Sequence, residues 1–372
     1  MINRRTFITT SVAGTAAAAM TTSEVNDKHS PAAPVRILNQ QPGMKYRLLG
    51  NTDIQFSEIS LGGLGADESV HYYGIDHGVN LVHIAWGYLA GQTIRMLGRV
   101  LKTRRDQVYV ALKDDYKGID EALQVLGTDH VDFLMFNRHK ADGVKDPTIP
   151  ETLAKFRQQG KVRFGAGLTT HGDIKATVGA GIDTGVFSMV MPTLNQPNLE
   201  LLDEELRHAR EKNVGIMAMK SMMGVKGLDL QTAYLKKLLS NPAVTTVNKG
   251  MGSIEMFDAF LKAIDEPLTA AEDRLLYRHA QFNRASNCMM CDECREACPR
   301  GVEISTILRC RDYYYGQVND LETALTTYRD VAADRRSDAS CADCRLCEAA
   351  CPNGIHIVER LALARQTFDA AA

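Results

Sequence analysis

Long apolar runs are missing from this chain of 372 residues. None approaches the roughly 20 residues that a bilayer-crossing helix needs, so no transmembrane segment is expected. An excess of one charge is missing too. The 43 Lys and Arg nearly balance the 45 Asp and Glu, for a net charge of -2. That balance gives no reason to expect nucleic acid as a partner. No G-x-G-x-x-G run follows the first strand-like segment, which argues against an open sheet built to hold a dinucleotide. What remains is ordinary for a soluble globular protein, with 45% hydrophobic and 24% charged residues. The length suits two domains.

Cysteine, by contrast, is abundant and patterned. Cys288, Cys291, Cys294 and Cys298 precede Pro299, and Cys341, Cys344, Cys347 and Cys351 precede Pro352. Each copy reads C-x2-C-x2-C-x3-C-P, the run that holds a four-iron, four-sulfur (4Fe-4S) cluster in bacterial ferredoxins. Structural zinc also takes four cysteines, but usually as two separated C-x2-C pairs. Disulfides between cysteines this crowded close poorly. Two 4Fe-4S clusters are therefore expected. In two-cluster ferredoxins the fourth Cys of each run serves the other cluster. The expected partition is Cys288, Cys291, Cys294 and Cys351 against Cys341, Cys344, Cys347 and Cys298. Cys310 is left over and reads as a small buried apolar residue.

The first thirty residues stand apart. Arg4 and Arg5 sit side by side before Phe7 and Ile8, and the Ala-rich run SVAGTAAAAM follows. This resembles a twin-arginine export signal, with a frayed basic tail as the plainer alternative. The export route carries proteins already folded around their cofactors, which suits clusters built in the cytoplasm, and a periplasmic location is expected. Residues 31–44 contain Pro31, Pro34 and Pro42 and read as a linker.

From about 45 to 268 short apolar runs alternate with amphipathic segments. Candidate strands are EISLG (58–62), LVHIA (81–85), VYVALK (108–113), VDFLMF (131–136), VRFGAG (162–167), FSMVM (187–191), GIMAMK (215–220) and TTVNKG (245–250). Helical patterns such as TIRMLGRVLKTR, IPETLAKFRQQG and IEMFDAFLKAI lie between them, with apolar residues three and four apart. Eight such units in this length predict an α/β fold, a closed (β/α)8 TIM barrel, with a doubly wound sheet as runner-up. In such a barrel the chemistry sits at the carboxyl ends of the strands.

These segments resemble the aldo/keto reductase family. YRLLGNTDIQFSEISLGGLG is similar to its opening hairpin and first strand, HGVNLVHIAWGY to its second strand, and LGTDHVDFLMFN, GKVRFGAGLTTH and VGIMAMK to later ones. A cysteine motif after the barrel resembles the ferredoxin-fused branch, and residues 269–372 resemble a small α-helical two-cluster ferredoxin. The resemblance implies a catalytic Asp, Tyr, Lys and His. Tyr88 and Lys113 match. The Tyr would protonate a carbonyl oxygen, and the Lys would lower its pKa from near 10. His83 stands in place of the Asp and Asn137 in place of the His. Asn137 can donate a hydrogen bond but cannot exchange a proton. A plain barrel-mouth pair and a satisfied core histidine are the bland readings of Tyr88 with Lys113 and of His83. His139 and His171 also end strands and are further candidates for substrate contact.

For the NADP that the resemblance implies, the corresponding positions are Thr169 and Thr170, Met191, Lys220, and Gly250 with Ser253 before a helix. A helix N-terminus can receive a phosphate. The Arg and Asn with which the family grips a 2′-phosphate align with Met256 and Phe260. An oxidoreductase acting on a small carbonyl or alcohol is expected, with an electron-transfer protein as a further partner. A non-catalytic electron-transfer or docking module with a degenerate barrel is the alternative, and clusters acting only as structural staples is a third reading.

Overall fold

The computed structural model describes residues 36–113, 118–222, 224–286, 288–316 and 319–371. The expected export signal and the first part of the expected linker lie outside the described residues. Ten strands run β1 (Tyr46–Leu48), β2 (Gln55–Ser57), β3 (Ile59–Gly62), β4 (Leu81–Ile84), β5 (Tyr109–Lys113), β6 (Val131–Asn137), β7 (Val162–Thr170), β8 (Phe187–Pro192), β9 (Gly215–Ala218) and β10 (Val244–Lys249). Eight of them, β3 to β10, close into a parallel barrel in sequential order, with β10 beside β3. This is the (β/α)8 architecture that the alternating pattern predicts. Buried on both faces, strands such as β4 and β5 read as continuous apolar runs.

The antiparallel hairpin β1–β2 plugs the amino-terminal end. Its Phe56 enters the barrel interior and meets Tyr109 and Phe133 with ring centroids 5.5 and 5.6 Å apart. Asp132 at the start of β6 is fully buried and bridges Arg105 and Arg163. Polar binding at this end is structural, whereas the opposite mouth collects the candidate chemistry.

Two barrel helices, Glu68–Asp76 and Ile174–Asp183, have no counterpart among the periodic segments of the sequence. Their glycines and polar residues dilute the apolar stripe, so packing against the sheet decides their form. The segment 198–213 reads as one helix but splits into Gln196–Leu199 and Asp203–Glu211.

The helix Ala270–Asn283 packs on the barrel rather than on the cysteine region. Lys236 bonds Glu266 and Glu272 at 2.8 and 2.9 Å, and Tyr234 meets His279 at 3.0 Å. Beyond it the chain is helical, with its own apolar core around Ile307, Tyr328, Leu361 and Phe368. Cys310 is fully buried in that core.

This helical region caps the carboxyl end of the barrel. Thr323 donates to the carbonyl of Gly87 after β4 at 3.4 Å, and Lys140 after β6 pairs with Glu303 at 3.0 Å. Ile174 after β7 donates to the Met290 carbonyl at 3.3 Å. Thr193 after β8 reaches the Met290 sulfur at 3.8 Å. No helix among the described residues is long and apolar enough to cross a membrane.

Candidate active site at the barrel mouth

The cap and the strand ends border a cavity of about 830 Å³. Tyr88 and Lys113, from the ends of β4 and β5, line it together with Asn137 from β6. His139, His171 and the cap's Arg309 share its wall. Three of the four expected catalytic positions therefore meet in one space. The fourth, His83, lines a neighbouring cavity of about 300 Å³, and Tyr88 borders both.

His83 is buried, and its Nε2 has no hydrogen-bond partner. Burial, then the charge of Lys113, pushes it down to about 3. Its ring lies 6.3 Å from that of Tyr88. A neutral imidazole thus stands where a carboxylate would hold Lys113, so the positive charge of Lys113 has no fixed counter-charge from β4.

His139 and His171 stack with ring centroids 4.0 Å apart. The backbone N–H of His171 donates to Nδ1 of His139 at 3.3 Å. Arg309 donates to Nδ1 of His171 at 2.5 Å and to its carbonyl at 3.3 Å. Each Nδ1 is an acceptor, so both imidazoles are neutral and carry their proton on Nε2. Burial holds both well below the usual histidine range, and the charges of Arg309, Lys113 and Lys220 add to it.

Arg309 opens the segment Arg309–Tyr315, which is wound as a π-helix. Such wider turns are rare and recur at functional sites. This winding sends Arg309, Tyr313 and Tyr314 into the barrel mouth. Tyr313 lines the smaller cavity, and its ring centroid is 4.1 Å from the Lys220 ammonium, with Tyr314 at 5.4 Å.

Lys220 follows β9 in a left-handed conformation, φ 53°. A residue with a Cβ pays of order 1–3 kcal/mol to stay there, so its surroundings must hold it. Its side-chain stem is partly covered, but its Nζ is buried and has no hydrogen-bond partner. Burial lowers its pKa well below the ordinary lysine value, and the charges of Arg309 and Lys113 lower it further. Contact with an aromatic face favours the ammonium by about 0.5–2 kcal/mol. Burying an ion without a partner costs several kcal/mol, so the uncharged amine is favoured.

The expected nicotinamide contacts are scattered. Lys220, Gly250 and Met191 line the smaller cavity, but Thr169, Thr170 and Ser253 do not. Thr169 is buried in β7 with its hydroxyl unsatisfied, while Thr170 donates to the carbonyl of Gly172 at 3.4 Å. Ser253 caps the helix Ile254–Ala263 by accepting from the N–H of Met256 at 3.2 Å. Phe260 is buried in the core and Met256 packs against it. No basic side chain stands at either position, so the residues do not fit a 2′-phosphate clamp.

The cysteines fall into two groups. Cys288, Cys291, Cys294 and Cys351 line one small cavity, and Cys298, Cys341, Cys344 and Cys347 line another. Among the described residues no set of three ligands is tight enough for a single metal ion. A cube of iron and sulfide is wider than one ion, so its thiols stand further apart. Four cysteines around each of two separate cavities fit a pair of clusters.

Residues 66–238 match the model of the aldo/keto reductase family. Among solved structures the chain is similar to the aldo-keto reductase AKR11C1 from Bacillus halodurans in its holo form, at 22% identity over 63% of this chain and 96% of that one, with a TM-score of 0.52. It is also similar to PA4992 from Pseudomonas aeruginosa, assigned as an aldo-keto reductase, at 18% identity over 63% of this chain and 99% of that one, with a TM-score of 0.51. The barrel has the aldo-keto reductase fold. No curated protein matches the chain. The capping region, with Arg309 and Tyr313, lies beyond the residues that the family model matches. Sequence reasoning missed these two residues, because only the π-helical winding aims them at the barrel.

Proposed function

We propose that the chain is an iron–sulfur oxidoreductase of the aldo/keto reductase type, acting on a carbonyl or alcohol group of a small molecule. The observation that carries this reading is the convergence of Tyr88, Lys113 and Asn137 on one capped cavity. Tyr88 exchanges a proton with the substrate oxygen. The positive charge of Lys113, on the wall of the same cavity, favours the phenolate left behind when that proton is given up. Asn137 orients the substrate oxygen through its amide.

Cys288, Cys291, Cys294 and Cys351 would hold one 4Fe-4S cluster, and Cys298, Cys341, Cys344 and Cys347 the other. When bound, two such clusters would supply places for single electrons. Because the basic contacts to a 2′-phosphate are missing, no step is assigned to NADP. The export signal, the periplasmic location and an electron-transfer protein as partner belong to the same proposal.

The neutral His83 beside Lys113 favours a second reading, a docking or relay module with no turnover. Anaerobic protein mixed with a panel of small alcohols and carbonyls separates the two. Substrate-driven change of the visible cluster absorbance that is lost in Tyr88→Phe supports the enzyme. The same change in both proteins sinks the role of Tyr88.

A further inference from the structure

Lys220 has features that the proposed reaction does not use. Three cationic side chains, Lys113, Lys220 and Arg309, act on one another at the mouth. The groups that bear on Lys220 are Arg309 and Lys113, the buried thiol of Cys310, the imidazoles of His139 and His171, and the rings of Tyr313 and Tyr314. None of them is a carboxylate. Crowding of this kind is relieved when one group gives up its proton. Arg309 keeps its own under all ordinary conditions. Lys249, in the same cavity, donates to the carbonyl of Gly250 at 2.9 Å. The Lys220 Nζ, buried and without an acceptor, is the group free to yield.

Lys220 lines the smaller cavity at the carboxyl end of a barrel strand, and its neutral amine, packed on the Tyr313 ring, is a nucleophile. We propose that Lys220 forms a Schiff base with a small aldehyde or ketone in the cavity it shares with Tyr88. This activity goes beyond the proposed redox reaction: it shares Tyr88 with it but takes no electron from the clusters.

The step balances without an oxidant or reductant. The amine lone pair attacks the carbonyl carbon, the C–N bond forms as the C=O π bond opens, and a proton passes from nitrogen to oxygen. The resulting carbinolamine then loses its hydroxyl as water. One amine, one carbonyl compound and one proton become one iminium ion and one water. Tyr88, which lines the same cavity, supplies the proton to the departing hydroxyl. The iminium then draws electrons from the adjacent carbon, as breaking a neighbouring C–H or C–C bond requires.

The test uses the full chain, purified anaerobically, and acetylacetone near neutral pH. This diketone condenses with a neutral amine, loses water and leaves a stable enaminone that survives digestion and mass mapping. Lys220 is expected to react at least about tenfold faster than the exposed Lys212, since each unit of lowered pKa raises the free amine about tenfold. Lys220→Met removes that adduct, and Lys220→Arg, which keeps the cation, removes it equally. Reaction of Lys220 no faster than Lys212, or an adduct on Lys249 instead, overturns the proposal. The rate ratio in the unaltered protein decides even where a variant fails to fold.

Discussion

The Arg309 guanidinium of the cap lies 2.5 Å from Nδ1 of His171 at the barrel mouth, across 138 residues of sequence. This bond joins the helical region to the strand end that carries the His139–His171 stack. It also fixes the tautomer of His171. The candidate site is therefore made by both parts of the chain, and the cap acts as its wall.

Removing Arg309 leaves the buried Nδ1 and carbonyl of His171 short of a donor. Arg309→Met is expected to cost about 1–3 kcal/mol by this route. Urea unfolding measures the loss. Hydrogen exchange should rise first in 304–315, where the cap meets the mouth. Unchanged stability and exchange would mean that the bond does not hold the cap.

Acid should begin to destabilise the fold at a pH above the range in which ordinary carboxylates titrate. In the unfolded chain a histidine titrates near 6.5. In the folded chain burial holds His83 at about 3 and His139 and His171 well below the usual range. The folded state thus binds fewer protons between these limits. The contribution is intact above about pH 6.5 and is lost as pH falls toward 3, by up to about 1.4 kcal/mol per unit for each histidine. Denaturation at pH 7.5, 6 and 5 follows it, and His83→Asn should flatten the slope.

Gly250 closes the wall of the smaller cavity. A Cβ there would collide with the backbone carbonyl of Leu64. Gly250→Ala is expected to cost at least about 1–3 kcal/mol as overpacking, because backbone cannot yield as a side chain does. A thermal melt of the variant checks this, and an unshifted melting temperature would contradict the close approach.

Most of the barrel was legible in the sequence. Each strand carries a run of apolar residues bounded by turn residues, and burial on both faces leaves little room for other patterns. Tyr88, Lys113 and Asn137 were legible because strand ends of a closed barrel share one mouth. The role of Arg309 and Tyr313 was not, since no local period marks a π-helix and their partners are far off in sequence. Thr169, Thr170 and Ser253 stand where the family resemblance places cofactor contacts, yet the structure keeps them out of the cavity that Lys220 and Gly250 line.

The crossed grouping of cysteines has its own consequence. Cys351 lies in the second run but lines the cavity of Cys288, Cys291 and Cys294. Cys351→Ala should therefore damage the same cluster signal as Cys288→Ala and spare the one lost in Cys344→Ala. Low-temperature electron paramagnetic resonance of the reduced variants reads this pairing. Matching losses in Cys351→Ala and Cys344→Ala would refute it.

The most direct measurement is iron and acid-labile sulfide on the anaerobically purified full chain. The account predicts about eight of each per chain, with a brown colour that reductant bleaches. Zinc without sulfide, in a colourless protein, would contradict it.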